Sequence, residues 1–400
     1  MGRSMEFGLV GKPNVGKSTF FAAATLVDAE IASYPFTTID ANRGVTYVRS
    51  DCPHTELGKQ CDPVNSKCVN GTRMIPVQAI DVAGLVAGAH KGRGRGNQFL
   101  DDLRQASVLV HVVDASGETD GEGNLIGVGS HDPREDVAFL EDEVAYWIKG
   151  ILDRGWDKVS KQIELTHTRQ EVALQERLAG LGVTVADMHH VLGRLDLPEK
   201  VTKWSEEQLM ELAREVRRVS KPILIAANKA DKAPPELLES LMGMEDQMVI
   251  PTSAECELAL RRADKAGLIE YMPGATDFEL KDPSRLSDAQ VKGLESIRSC
   301  MANMGGTGVQ RIIEKAVFEL LDSIVVYPVE DETHWASKKG HLLPDAYLVK
   351  QGTNARDLAY MIHTEFGEKF IRAVNARTRR VVGADYQLQH KDVVKIVWGG

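Results

Sequence analysis

Eight residues constrain this chain more than any others. Gly11-Lys12-Pro13-Asn14-Val15-Gly16-Lys17-Ser18 fits G-x-x-x-x-G-K-S between an apolar run at 7–10 and a helix-like run at 20–27. A strand, a glycine-bearing turn and a helix in that order make a phosphate-binding loop. Glycine lets successive backbone N–H groups curl around phosphate oxygens, and the helix N-terminus adds positive potential. Lys17 is expected to reach the β- and γ-phosphates and Ser18 to ligate Mg2+, with Asn14, Val15, Gly16 and Thr19 completing the cradle.

Further short apolar runs end in polar residues: 75–80 at Asp81, 108–113 at Asp114, 222–227 at Asn228, and 248–250 at Pro251-Thr252-Ser253-Ala254. Continuous apolar strands between helical stretches predict an α/β fold with a buried, mostly parallel sheet. Ligands bind at the carboxyl ends of such strands. Behind a phosphate loop, Asp81-Val82-Ala83-Gly84 reads as an acid that holds magnesium and a glycine N–H, that of Gly84, that senses the γ-phosphate. Asn228-Lys229-Ala230-Asp231 reads as a base selector. Asp231 can accept from two guanine donors, whereas adenine would leave the carboxylate facing an acceptor. Asn228 and Lys229 brace that loop, and Ser253-Ala254 offers a backbone N–H to the guanine oxygen.

At 400 residues the chain should hold two to three domains. Hydrophobic residues at 43% and charged at 26% exclude a disordered chain. A net charge of −10 excludes a surface that is basic throughout, so any nucleic-acid contact must be a local patch. No run of about 18 apolar residues is present, so no membrane span is expected. Residues 1–6 lack a secretory apolar region, and residues 1–4 read as an extension before the first strand. Five cysteines suit a reducing, cytoplasmic setting. Residues 132–218 carry apolar positions at helical spacing and predict an all-helical insert. Residues 324–398 predict a β-grasp module, with strands at 324–329, 342–350, 386–388 and 393–398. Cys52, Cys61 and Cys68 with His54 offer three thiols and an imidazole. Without C-x-x-C knuckles they read first as reduced surface thiols and only second as a zinc site. Arg372, Arg377, Arg379 and Arg380 form the densest basic cluster, either an RNA or ribosome patch or a solvated face.

The motif order resembles the translation-factor type of GTP-binding proteins, and a closer likeness is visible. Tyr34-Pro35-Phe36-Thr37-Thr38-Ile39-Asp40-Ala41-Asn42 resembles the first switch of the Obg superfamily. Asp81 to Ala89 with Gly92-Arg93-Gly94-Arg95-Gly96-Asn97-Gln98-Phe99-Leu100 is similar to its glycine-rich second switch. The helical insert and the β-grasp end, with Leu358-Ala359-Tyr360-Met361 and Phe370-Ile371-Arg372-Ala373, resemble the YchF-type branch and its TGS domain. The resemblance implies a discontinuous GTP-binding P-loop domain at 5–131 and 219–323, an insert at 132–218, and a TGS-like domain at 324–398. It also implies Thr38 as a Mg2+ ligand in the γ-phosphate state, Thr37 being the neighbouring alternative. Lys17, Thr38 and Gly84 are the expected catalytic set. Some members of the branch have lost N-K-x-D and prefer ATP; here it is intact, which implies GTP. Arg95 stands where members usually carry Leu. Leu85 follows Gly84 in place of a water-orienting Gln, which implies slow intrinsic hydrolysis; His90 is a solvated loop histidine or a group reaching that water. Asn14 is either a K+ ligand, as in potassium-stimulated relatives, or a turn residue. The expected function is a GTP/GDP switch with slow GTPase activity that acts with ribosomes or RNA through its C-terminal domain. The alternative is an NTPase of relaxed GTP/ATP choice without a ribosomal partner.

Overall fold

The computed structural model describes residues 5–25, 42–82 and 102–399. The chain divides into two compact units, one of Phe7–Ala23 and Ile80–Ile312, the other of Met1–Glu6, Ala24–Ala79 and Ile313–Gly400.

The first unit is built on parallel strands. Phe7 of Glu6–Val10 lies opposite Val108 of Val108–Asp114, Leu109 opposite Ile223 of Ile223–Asn228, and Leu224 opposite Met248 of Met248–Pro251. Every residue of Val108–Asp114 and Ile223–Asn228 is buried, as continuous apolar runs require when both faces are covered. The strand Thr72–Asp81 brings its end alongside, where the Val82 N–H donates to Leu9 O at 3.0 Å.

From Pro133 to Ser220 the chain is helical: Pro133–Asp153, Trp156–Thr166, Gln170–Arg177, Val185–Leu192 and Glu206–Ser220. Asp132 caps the first of these with Pro133 at its first turn, and Thr184–Asp187 and Ser205–Gln208 form capping boxes. Each cap contributes about 1 kcal/mol. Leu209, Leu212, Ala213 and Val216 form one apolar stripe of the last helix. They share a core with Leu140, Trp147 and Ile148 and with Val10, Ile80 and Leu109 of the strands. The insert is therefore a small bundle packed on the sheet.

In the second unit the strand order is Tyr347–Lys350, Ser323–Val329, Asp392–Trp398, Phe370–Asn375, Arg380–Val382, with only the second and third parallel. The helix Ala355–Ile362 buries Ala355, Leu358 and Ala359, and Ala355 and Leu358 share a core with Ile324, Val326, Val349 and Val394. This is the expected β-grasp, with two strand corrections. The expected strand at 342–350 begins only at Tyr347, because Leu343 has φ 46° and leaves the extended region. The expected strand at 386–388 is a single bridge, Asn354 to Gln387. The hairpin Phe370–Asn375 with Arg380–Val382 takes the sheet position, its arginine-rich outer face having hidden the strand pattern.

The same unit holds the strand Arg43–Asp51 beside Thr72–Asp81, and the short strand Lys67–Val69. Lys67–Val69 pairs antiparallel with Thr72–Met74 through Asn70 (φ 47°) and Gly71 (φ 83°). A two-residue turn with both φ values positive is the favoured hairpin link, and Asn-Gly suits it. Among the described residues no helix is long and apolar enough to cross a membrane.

Candidate functional site

The predicted loop-to-helix transition is present. The helix Lys17–Thr25 follows directly on the loop, and Phe20 N–H donates to Gly16 O at 2.9 Å. Gly16 has φ +90°, and a Cβ there would lie 2.4 Å from the Asn228 amide nitrogen. Only glycine combines that φ with that clearance. Asn14 also sits at positive φ (63°), and its Nδ2 donates to Gly123 O at 2.9 Å. Val15 is buried, Thr19 half-buried and Ser18 exposed at the helix start.

Lys17 and Asp81 are brought together, their side chains forming an ion pair at 13% and 22% exposure. A cation and an acid that approach each other from different strand ends, both still solvent-accessible, form a pair that an incoming phosphate and metal can separate.

Asn228 joins the parts of the site. Its Nδ2 donates to Val15 O at 2.8 Å, and its Oδ1 accepts from Ala254 N–H at 3.0 Å. One buried amide thus ties the phosphate loop to the Ser253-Ala254 loop. Asn228→Ala leaves a buried carbonyl and a buried N–H without these partners, at about 1–3 kcal/mol for each. The expected result is a clear fall in the denaturant midpoint, measured without nucleotide. Lys229, at φ 58°, is held by Asp114 (2.9 Å) and Glu118 (3.4 Å). Ala230 N–H donates to Thr252 O at 3.1 Å, which leaves the exposed Asp231 on a fixed turn. Ser253 N–H donates to Thr307 O (2.8 Å), and the Ser253 hydroxyl accepts from Cys256 N–H (3.3 Å). Beneath it the fully buried Glu257 accepts from Thr307 Oγ1 (2.5 Å), Tyr271 OH (2.7 Å) and Arg261 Nε (3.0 Å). Burial, then the Glu257 charge, pushes the Tyr271 hydroxyl pKa up, so it remains a donor.

Sequence reasoning missed several of these residues. Asp114 was legible only as a strand end. In the fold it is buried and accepts from Ser116, Thr119 and Lys229, so it holds the turn that begins at Asn228. Lys12, a variable position of the motif, is also buried. It binds Asp136 at 2.7 Å and Thr119 O at 2.9 Å, tying the phosphate loop to the helix Pro133–Asp153. Thr37, Thr38, Gly84, Leu85, His90 and Arg95 lie outside the described residues. The reading of Cys52, Cys61 and Cys68 as surface thiols is corrected: Cys52 and Cys61 are 1% and 6% exposed, and the three converge on buried His54.

A 50S ribosome-binding GTPase family matches residues 6–140. An Obg-like GTPase YGR210-like, G4 motif-containing domain matches 226–331, and a TGS domain matches 339–398. A GTP-binding protein of Methanocaldococcus jannaschii is 52% identical over 98% of both chains. The chain belongs to the Obg-like GTPases. The crystal structure of a GTP-binding protein from Pyrococcus horikoshii OT3 superposes on this Obg-like GTPase with a TM-score of 0.79, at 46% identity over 99% of this chain and 100% of that one. The ribosome-binding ATPase YchF of Bacillus subtilis is 29% identical over 92% of this chain and 88% of its own. As a member of this family the chain is a P-loop NTP hydrolase, and P-loop GTPases generally use Mg2+.

Proposed function

We propose that the chain is a GTP-selective switch with slow intrinsic hydrolysis that acts on ribosomes or RNA. The observation that carries this is the Asn228 bridge. A phosphate loop and a base-selecting loop already joined by buried hydrogen bonds form a prearranged pocket for one nucleotide. In this reading Gly16 to Thr19 cradle the phosphates, Lys17 offsets their charge, and Asp231 with the Ala254 N–H selects guanine. Ser18 and Asp81, with Thr38 as the resemblance implies, would offer oxygen donors only, which suits Mg2+. When bound there, Mg2+ would neutralise charge on the β- and γ-phosphates. Leu85 cannot orient or accept a proton from water, which supports slow turnover. Arg372, Arg379 and Arg380 are exposed on the β-grasp hairpin, a local basic patch on an acidic chain. Arg377 is exposed too but pairs with Glu56 at 2.6 Å. The name of the Bacillus subtilis relative supports a ribosomal partner.

The test is co-sedimentation with ribosomes in GTP analogue, GDP or no nucleotide, together with turnover measured with and without ribosomes. Binding that depends on the nucleotide, with faster turnover on ribosomes, is expected. Indifference in both measurements favours the relaxed-specificity NTPase.

K+ is the second cofactor in this reading, held by the Asn14 side-chain oxygen. The hydrogen bond from Asn14 Nδ2 to Gly123 O fixes the orientation of that amide. GTP turnover in K+ should exceed that in Na+ at matched ionic strength, because a further cation beside the phosphates stabilises developing charge. Equal rates assign Asn14 to the turn alone.

A further inference from the structure

Cys52, His54, Cys61 and Cys68 each place a ligand atom within 4.8 Å of all the others. The spacing, C-x-H-x6-C-x6-C, is not that of a knuckle, and the fold supplies the convergence instead. Cys52 follows the strand Arg43–Asp51, and its N–H donates to Gly71 O at 2.8 Å. His54 opens the one-turn helix His54–Leu57, which Gly58 ends in the left-handed region at φ 62°. Cys68 is carried on Lys67–Val69. The Asn70-Gly71 turn folds that strand back toward Cys52.

We propose that these four residues bind one structural Zn2+ ion. A tetrahedral ion with bonds of about 2.3 Å to sulfur and about 2.0–2.1 Å to nitrogen sets S···S edges near ~3.8 Å and S···N edges near ~3.6 Å. The Cys52 and Cys61 sulfurs are 3.8 Å apart, and Cys68 Sγ is 3.6 Å from His54 Nδ1. All five cysteines are free thiols. Three thiolates and a neutral imidazole around Zn2+ leave one net negative charge, which needs a partner when buried. The fully buried Arg73 supplies it: its Nη2 lies 3.4 Å from Cys52 Sγ. The other hydrogen bonds of that guanidinium go to Ser66 Oγ and Leu343 O, both at 2.9 Å, neither of them a carboxylate.

The ion would brace a surface for the segment at 341–346. Asp62 pairs with His341, and the Asp62 and Val64 N–H groups donate to Leu342 O (3.0 Å) and Pro344 O (2.6 Å). Asn65 exchanges two hydrogen bonds with Ala346. Loop 52–69 has little regular structure to fix it, so closing it through one metal centre is the chemistry that holds these contacts in register.

The test is metal analysis of the full chain purified without chelator. About one zinc per chain is expected, released by a thiol-blocking mercurial. Co2+ exchanged into the site should give the visible bands of a tetrahedral ion and a thiolate charge-transfer band. Cys68→Ser and Cys52→Ser should lose the metal at least tenfold, and Cys256→Ser should keep it. His54→Cys should retain Co2+ with charge-transfer intensity raised by about a third, since four thiolates replace three. A chelator should lower the melting temperature of the parent but not of Cys68→Ser. If the serine variants do not fold, the parent stoichiometry and the His54→Cys spectrum decide. Absence of both zinc and Co2+ binding in the parent overturns the site, as does full metal retention in Cys68→Ser. A Cys52–Cys61 disulfide in the isolated protein also overturns it.

Discussion

Lys17→Ala should abolish tight binding of GTP and GDP while leaving the chain folded. Lys17 is the cation of the phosphate loop, and charge-assisted hydrogen bonds to phosphate contribute about 1.5–3 kcal/mol each. Losing contacts to two phosphates therefore weakens affinity by roughly 100-fold or more. Hydrolysis should fall further, because charge grows on the transferred group. The folded state loses only the pair with Asp81, whose partners keep 13% and 22% exposure. Water can reach the carboxylate left behind, so the cost in stability stays below the roughly 3–5 kcal/mol of a fully buried pair that loses one partner. Calorimetric titration with GTP and GDP, beside a thermal melt, separates the two effects. A variant that binds and hydrolyses GTP normally would remove Lys17 from the site.

Asp231→Asn should redirect base choice. In the proposed reading the carboxylate meets two guanine donors, and one charge-assisted bond lost in a desolvated contact costs about 2–4 kcal/mol. GTP affinity should fall by roughly 30-fold to 1,000-fold. The new amide can donate to the 2-oxo group of xanthine, so XTP should bind better than it does to the parent. The setting favours a clean effect. Lys229 is fixed by Asp114, and Ala230 donates to Thr252 O, so the turn that carries Asp231 has little reason to move. Competition among GTP, ATP and XTP on parent and variant reads this out. A parent that binds ATP as tightly as GTP contradicts guanine selection and returns the chain to the relaxed-specificity alternative.

Much of the architecture is legible along the sequence, for physical reasons. A parallel strand covered on both faces must be apolar throughout, so Val108–Asp114 and Ile223–Asn228 stand out from their flanks. The helices from Pro133 to Ser220 show themselves by stripes such as Leu209, Leu212 and Val216. Where a strand is half exposed the signal fails. Arg43–Asp51 carries Arg43 and Arg49, and Arg49 pairs with Glu314, 265 residues away. The hairpin at Phe370–Val382 bears its arginines outward and is hidden in the same way.

The site divides along the same line. By itself the sequence determined the phosphate loop, the acid at Asp81 and the Asn228–Asp231 turn. Each is a local backbone geometry with a fixed residue requirement, such as glycine where φ is +90°. Only the tertiary structure decided how they are joined: Asn228 reaches Val15 across 213 positions, and buried Lys12 reaches Asp136 across 124. It also decided that four residues spread from Cys52 to Cys68 face one point. A hydrogen bond or a metal-sized cluster depends on where side chains end in space, and a turn of two residues, here Asn70-Gly71, is enough to bring Cys68 back to Cys52.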